Sequence, residues 1–142
     1  MSEPPSDVGR VAPADAPPPE PGRGTVPPAV GPYSPIVRAG DWLVCSGQLG
    51  MKDGALVGGG IAGQVGQAMA NLAALLESEG ASLADVVKTT VLLASIDDWP
   101  AMNEPYLEAL GDARPARSAF AVGGLPLGAL VEIEAWAFVG GR

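Results

Sequence analysis

The chain has no histidine and one cysteine among its 142 residues. The missing imidazole removes the commonest general base, the Ser-His and Cys-His nucleophile pairs and the usual zinc ligand sets. A single cysteine allows neither an intramolecular disulfide nor a CxxC motif, so a reducing compartment, the cytoplasm, is the expected setting. Basic residues are also scarce: eight Lys and Arg stand against 16 Asp and Glu, for a net charge of -8. Binding to a polyanion needs clustered Lys and Arg, so no nucleic-acid partner is expected. No run approaches the ~18 apolar residues of a membrane span, and the start lacks the basic and apolar stretches of a signal peptide, so no membrane partner is expected. Chemistry here must rest on Arg, Lys, carboxylates, hydroxyls and backbone amides.

Proline is abundant, and nine of its 15 copies fall between Met1 and Pro28. The larger apolar residues of that stretch are Met1, Val8, Val11 and Val26. Too little apolar surface is available there to offset the entropy of ordering. Residues 1–28 are therefore expected to form a flexible, partly polyproline-II arm, and residues 29–142 one folded domain.

Within that domain the residue spacing predicts an α+β fold. Pro35–Ala39 and Trp42–Ser46 flank Gly40-Asp41 as a type II′ hairpin. A turn at Asp53-Gly54 precedes a short strand at Ala55–Val57. Ile61, Val65, Ala68, Met69, Leu72, Leu75 and Leu76 recur at helical spacing, and Gly80 supplies the stop. Val86–Leu93 is apolar at most positions and predicts a strand covered on both faces. Asp97 or Asp98 caps a second helix to Leu110, which Pro105 should kink, with Gly111 beyond it. Arg117–Gly124 and Ala129–Val139 predict two last strands joined through Leu125–Gly128. About six strands and two helices result. Two helices cover one face of such a sheet, yet both alternating sets of the last strand are apolar, so other copies of the chain should cover the far face.

Arg117 is the most informative polar residue, because it opens an apolar strand where an unpaired guanidinium is costly to bury. Two roles are open to it. If residue 124 faces 129, Arg117 lies opposite Trp136 and diagonal to Glu134, as a cross-strand ion pair; alternatively its planar fork grips a substrate carboxylate. On that register Glu132 shares a face with Arg117 but lies four residues along, roughly 13 Å. Both would touch one small substrate only from different subunits. Glu132 itself is either a solvated or ion-paired carboxylate, or the group that orients and deprotonates a water. Tyr33 reads as a packing residue, Ser46-Gly47-Gln48 as a turn open to ligand, Asn103 as a local backbone partner, and Cys45 as a small buried apolar residue.

Several spaced motifs occur in order: Gly31-Pro32-Tyr33-Ser34-Pro35, Ser46-Gly47-Gln48, Asp85-Val86-Val87-Lys88-Thr89-Thr90-Val91, Met102-Asn103-Glu104-Pro105-Tyr106, Pro115-Ala116-Arg117-Ser118, and Leu125-Pro126 followed by Val131-Glu132-Ile133-Glu134-Ala135. In these the chain resembles the reactive intermediate deaminase family, RidA or YjgF, over roughly residues 29–139. The resemblance implies a chorismate-mutase-like α+β fold, a homotrimer with clefts between subunits, and no cofactor or metal. It further implies hydrolysis of 2-imino acids, or of enamine tautomers such as 2-aminoacrylate, to 2-keto acids and ammonia. Arg117 then matches the carboxylate-binding arginine and Glu132 the acid that holds the attacking water. Tyr33, Ser46, Gly47 and Asn103 match positions around the cleft, and the backbone of Ala119 faces the substrate. Ala119 stands where many members carry Cys or Thr, and Pro105 interrupts a helix often uninterrupted. A second function fits the same residues, a non-catalytic trimeric module that binds small carboxylates or a protein partner. An endoribonuclease activity, attached to some relatives, is opposed by the net charge of -8.

Overall fold

The computed structural model describes residues 8–10 and 26–141. Ten strands and helices follow in chain order: β1 (Val8–Arg10), β2 (Ile36–Ala39), β3 (Trp42–Leu49), β4 (Met51–Lys52), β5 (Ala55–Leu56), α1 (Gly60–Ser78), β6 (Val86–Leu93), α2 (Trp99–Leu110), β7 (Ala116–Ala121) and β8 (Val131–Phe138). Six strands form one mixed sheet in the order β1-β2-β3-β8-β6-β7, and β4-β5 is a separate hairpin. The α+β class with both helices packed on one sheet face is as the sequence predicts.

Local chemistry explains most element ends. At the β2–β3 turn Gly40 takes φ 59 while Asp41 stays at negative φ, as a type II′ turn requires. Asp53 and Gly54 both take positive φ, a type I′ turn that closes Met51 onto Leu56. Helix α1 ends at Ser78, and just beyond it Gly80, with a φ of 76, lets the Ala81 N–H close on the Leu76 carbonyl at 2.9 Å. Before α2, the Ser95 hydroxyl accepts from the Asp97 N–H in a short 3-10 turn; Asp98 occupies the cap position without a side-chain bond. Helical structure continues through Pro105 to Leu110.

The core lies between the helices and one sheet face. Leu72, Leu75 and Leu76 of α1 pack on Leu43 of β3 and on Ile133, Ala135 and Ala137 of β8, all fully buried. At roughly 25 cal/mol per Å² of apolar surface, this seam is the main stabilising term.

Three expectations change. Strands β7 and β8 do not pair: β6 lies between them, parallel to β7 and antiparallel to β8. The physical reason is connectivity, because β6 and β7 are joined through α2, and such a crossover yields a parallel pair. Secondly, β6 is covered on one face within the chain; Thr89, Val91 and Leu93 are buried while Val87 is exposed. Thirdly, the sixth strand of the sheet is not the short run after Gly54 but Val8–Arg10, paired along β2. The rest of the expected arm before Val26 lies outside the described residues.

On the face turned away from the helices, Trp42, Trp136 and Phe138 form an exposed aromatic cluster. Their ring centroids are 6.2 Å apart for the Trp pair and 5.0 Å for Trp42–Phe138. Among the described residues no helix is long and apolar enough to cross a membrane.

Candidate active site

Glu132 is placed by β8 at the mouth of a cleft of about 1310 Å³. The cleft is also lined by Tyr33, Ser46, Gly47 and Glu134. The β3–β8 register breaks between Cys45 and Gln48, which puts a bulge at Ser46-Gly47. Into the space left by the missing Gly47 side chain folds the Glu132 carboxylate; a Cβ there would lie 2.9 Å from its Cγ and Cδ. Among the described residues Glu132 has no hydrogen-bond or ion-pair partner. Burial, and then the neighbouring Glu134 charge, raise its pKa above the ordinary carboxylate value. A carboxylate so placed is a better proton acceptor than a solvated one.

The loop before β2 is tied to the same bulge. Ser46 donates from its N–H to the Pro35 carbonyl at 2.8 Å and from its hydroxyl to the Ser34 carbonyl at 2.7 Å. These two bonds hold Gly31–Pro35 against β3, with the Tyr33 ring half exposed over the cleft. The Ser46 hydroxyl keeps its acceptor lone pairs free for a ligand or water.

Arg117 lies elsewhere. On β7 its register partner is Thr89, whose partner across β6–β8 is Ala135, so Arg117 points to the helix side of the sheet. There its Nη1 donates to Asn103 Oδ1 at 2.9 Å, and its guanidinium carbon lies 5.5 Å from the Trp99 ring centroid and 5.0 Å from that of Tyr106. Among the described residues it has no carboxylate partner, so the expected pairing with Glu134 is not formed. Glu132, three residues from Ala135, points to the opposite face. The expectation that Arg117 and Glu132 share a face is therefore corrected. The candidate residues fall into two separate groups: Tyr33, Ser46, Gly47 and Glu132 in the cleft, and Asn103, Arg117 and Ala119 along α2 and β7. Ala119 turns its methyl toward the core, and β7, as an edge strand, leaves one row of backbone N–H and C=O groups unpaired within the chain.

Both groups of residues fall inside one family match. The profile of the family described as Endoribonuclease L-PSP matches residues 24–139. The chain belongs to this family, RidA/YjgF. A human 2-iminobutanoate/2-iminopropanoate deaminase is 44% identical over 116 residues, covering 80% of this chain and 85% of the relative. The crystal structure of RidA from an Antarctic Psychrobacter superposes with a TM-score of 0.77 at 39% identity, covering 80% of this chain and 94% of that one. That of E. coli TdcF with bound serine gives 0.74 at 30% identity, covering 80% and 92%.

Three residues that the sequence did not single out for a role surround the Arg117 guanidinium: Trp99, and Tyr106 and Thr89 from inside the quoted motifs. Trp99, Asn103 and Tyr106 stand four and three apart, which is one face of a helix, so their convergence on a strand arginine had a legible signal. The Thr89 contact had none, because it depends on which strand neighbours β7.

Proposed function

We infer that the protein hydrolyses reactive 2-imino acids, the products being a 2-keto acid and ammonia. The observation that carries this reading is the pair of unspent groups: a guanidinium bracketed by Trp99, Asn103 and Tyr106 with no anion partner among the described residues, and a raised-pKa carboxylate folded over Gly47. It is supported by the 44% identity to the human deaminase and by a relative that binds serine, a small amino acid.

In this reading Arg117 takes the substrate carboxylate through the donors that Asn103 leaves free. Glu132 accepts a proton from a water as its oxygen adds to the imine carbon, giving a tetrahedral carbinolamine. That proton passes to the nitrogen; Glu132 then takes the hydroxyl proton and delivers it to the nitrogen as well, so the carbonyl forms as the C–N bond breaks and ammonia leaves. An imine is already electrophilic, so positioning and one proton acceptor suffice. Tyr33, Ser46, Gly47 and the Ala119 backbone surround the reacting atoms.

The two groups of residues point to opposite sides of the sheet, so the proposal makes each a half-site and includes a homotrimer in which one subunit's Glu132 half meets the next subunit's Arg117 half. The exposed aromatic cluster supplies apolar surface for that contact. The proposal also keeps residues 29–142 as the working domain, residues 1–28 as an arm appended to it through the pairing of Val8–Arg10 with β2, and a reducing, cytoplasmic setting. The test is to release 2-aminoacrylate with a serine or threonine dehydratase in the presence of semicarbazide. Micromolar protein should suppress semicarbazone formation; unchanged trapping overturns the reading.

A further inference from the structure

We propose that Thr89 is a positioning residue for carboxylate recognition, acting on Arg117 through Tyr106. This rests on the role given to Arg117 above and extends it to a residue that touches no substrate.

Thr89 is a buried hydroxyl, 1% exposed, in the middle of an apolar sheet face between Val91 and Ala135. The parallel register sets it directly beside Arg117 on the same face. Its Oγ1 shares a hydrogen bond of 2.7 Å with the Tyr106 hydroxyl. Tyr106 is 4% exposed and presents its ring to the Arg117 guanidinium at 5.0 Å. The bond thus pins the far end of the ring on which the guanidinium rests. Asn103 holds one nitrogen from the side. An arginine side chain has many rotamers, and gripping a two-oxygen anion requires one of them to be held before the ligand arrives. A buried threonine whose one side-chain bond among the described residues fixes that platform supplies such pre-ordering.

The experiment compares Thr89→Val, nearly isosteric but without the hydroxyl, with Thr89→Ser, which retains it. KM for 2-iminobutanoate and the Kd for 2-oxobutanoate by calorimetry are measured on the full chain. The valine variant should raise both about fivefold to tenfold with kcat changed less than twofold, and serine should restore both. Tyr106→Phe, which keeps the ring and loses the hydroxyl, should reproduce the valine result, and it serves where valine compromises folding. A valine variant with lowered Tm but unchanged KM and Kd overturns the proposal, as does a raised KM that serine fails to restore. Wild-type protein that neither hydrolyses the imine nor binds the keto acid overturns instead the function on which the proposal rests.

Discussion

The Glu132 carboxylate occupies the volume that a side chain on Gly47 would fill. The glycine is needed for what it leaves out, since it carries no positive φ there. Adding one methyl group by Gly47→Ala should displace Glu132, cost about 1–3 kcal/mol of stability, and lower kcat/KM at least about tenfold through the misplaced base. Gly58→Ala, where a Cβ meets open space, is the control and should keep both. Thermal melts and imine hydrolysis kinetics on the two variants provide the check.

The neighbouring Glu134 predicts a pH effect of definite sign. Burial and Glu134 both disfavour the charged form of Glu132, so its pKa lies above that of an ordinary glutamate. Activity that needs the ionised base should then fall with decreasing pH from a higher starting point than an unperturbed carboxylate would give. Removing the like charge with Glu134→Gln should move that acid limb to lower pH. For stability the sign is opposite to a salt-bridged acid: the raised pKa favours the folded state below the usual glutamate pKa and loses that advantage as pH rises through the folded value. Glu132→Gln should therefore melt higher than wild type at neutral pH while losing turnover.

Arg117 has no acidic partner among the described residues, so its removal breaks no ion pair within the chain. Arg117→Ala should abolish imine hydrolysis, by about a hundredfold or more, while light scattering shows the wild-type mass. Arg117→Lys should recover little, because an ammonium cannot present two parallel donors to a carboxylate. A dissociated assembly in the alanine variant would instead make Arg117 an interface residue.

The open sheet face should be the assembly face. Trp136 is 45% and Trp42 39% exposed, and covering each stabilises an assembly by about 1–2 kcal/mol. Wild-type protein should run as the proposed trimer in size-exclusion chromatography with light scattering, and Trp136→Glu, which places a charge in that contact, should shift it toward monomer. Activity should fall in parallel, since the half-sites then no longer meet.

How legible all this was depends on the range of the interaction involved. Helices α1 and α2 and strand β6 were readable because apolar spacing and the glycine stops are local; Leu72, Leu75 and Leu76 fall where a 3.6-residue period puts them. Sheet order was not, since pairing of β7 with β6 rather than β8 joins segments far apart in the chain. That one difference moved Arg117 to the other side of the sheet from Glu132 and removed Glu134 as its partner. The bulge at Ser46-Gly47 left only a glycine as its trace. Strand β1 lies in a stretch whose composition predicts no packing, and its antiparallel pairing with β2 joins segments about 30 residues apart.

Cys45 gives the fold a further property. It is buried against the helices at the centre of β3, and burial pushes its thiol up to about 12. At neutral pH the thiolate is all but absent, and the sulfur is screened from solvent. An imine carbon is an electrophile that free thiolates attack, so a protein that handles it turn after turn runs the hazard of self-modification. This chain meets that hazard with no imidazole and one sheathed sulfur, so the packing that holds the sheet together also keeps its one thiol out of reach of such an electrophile.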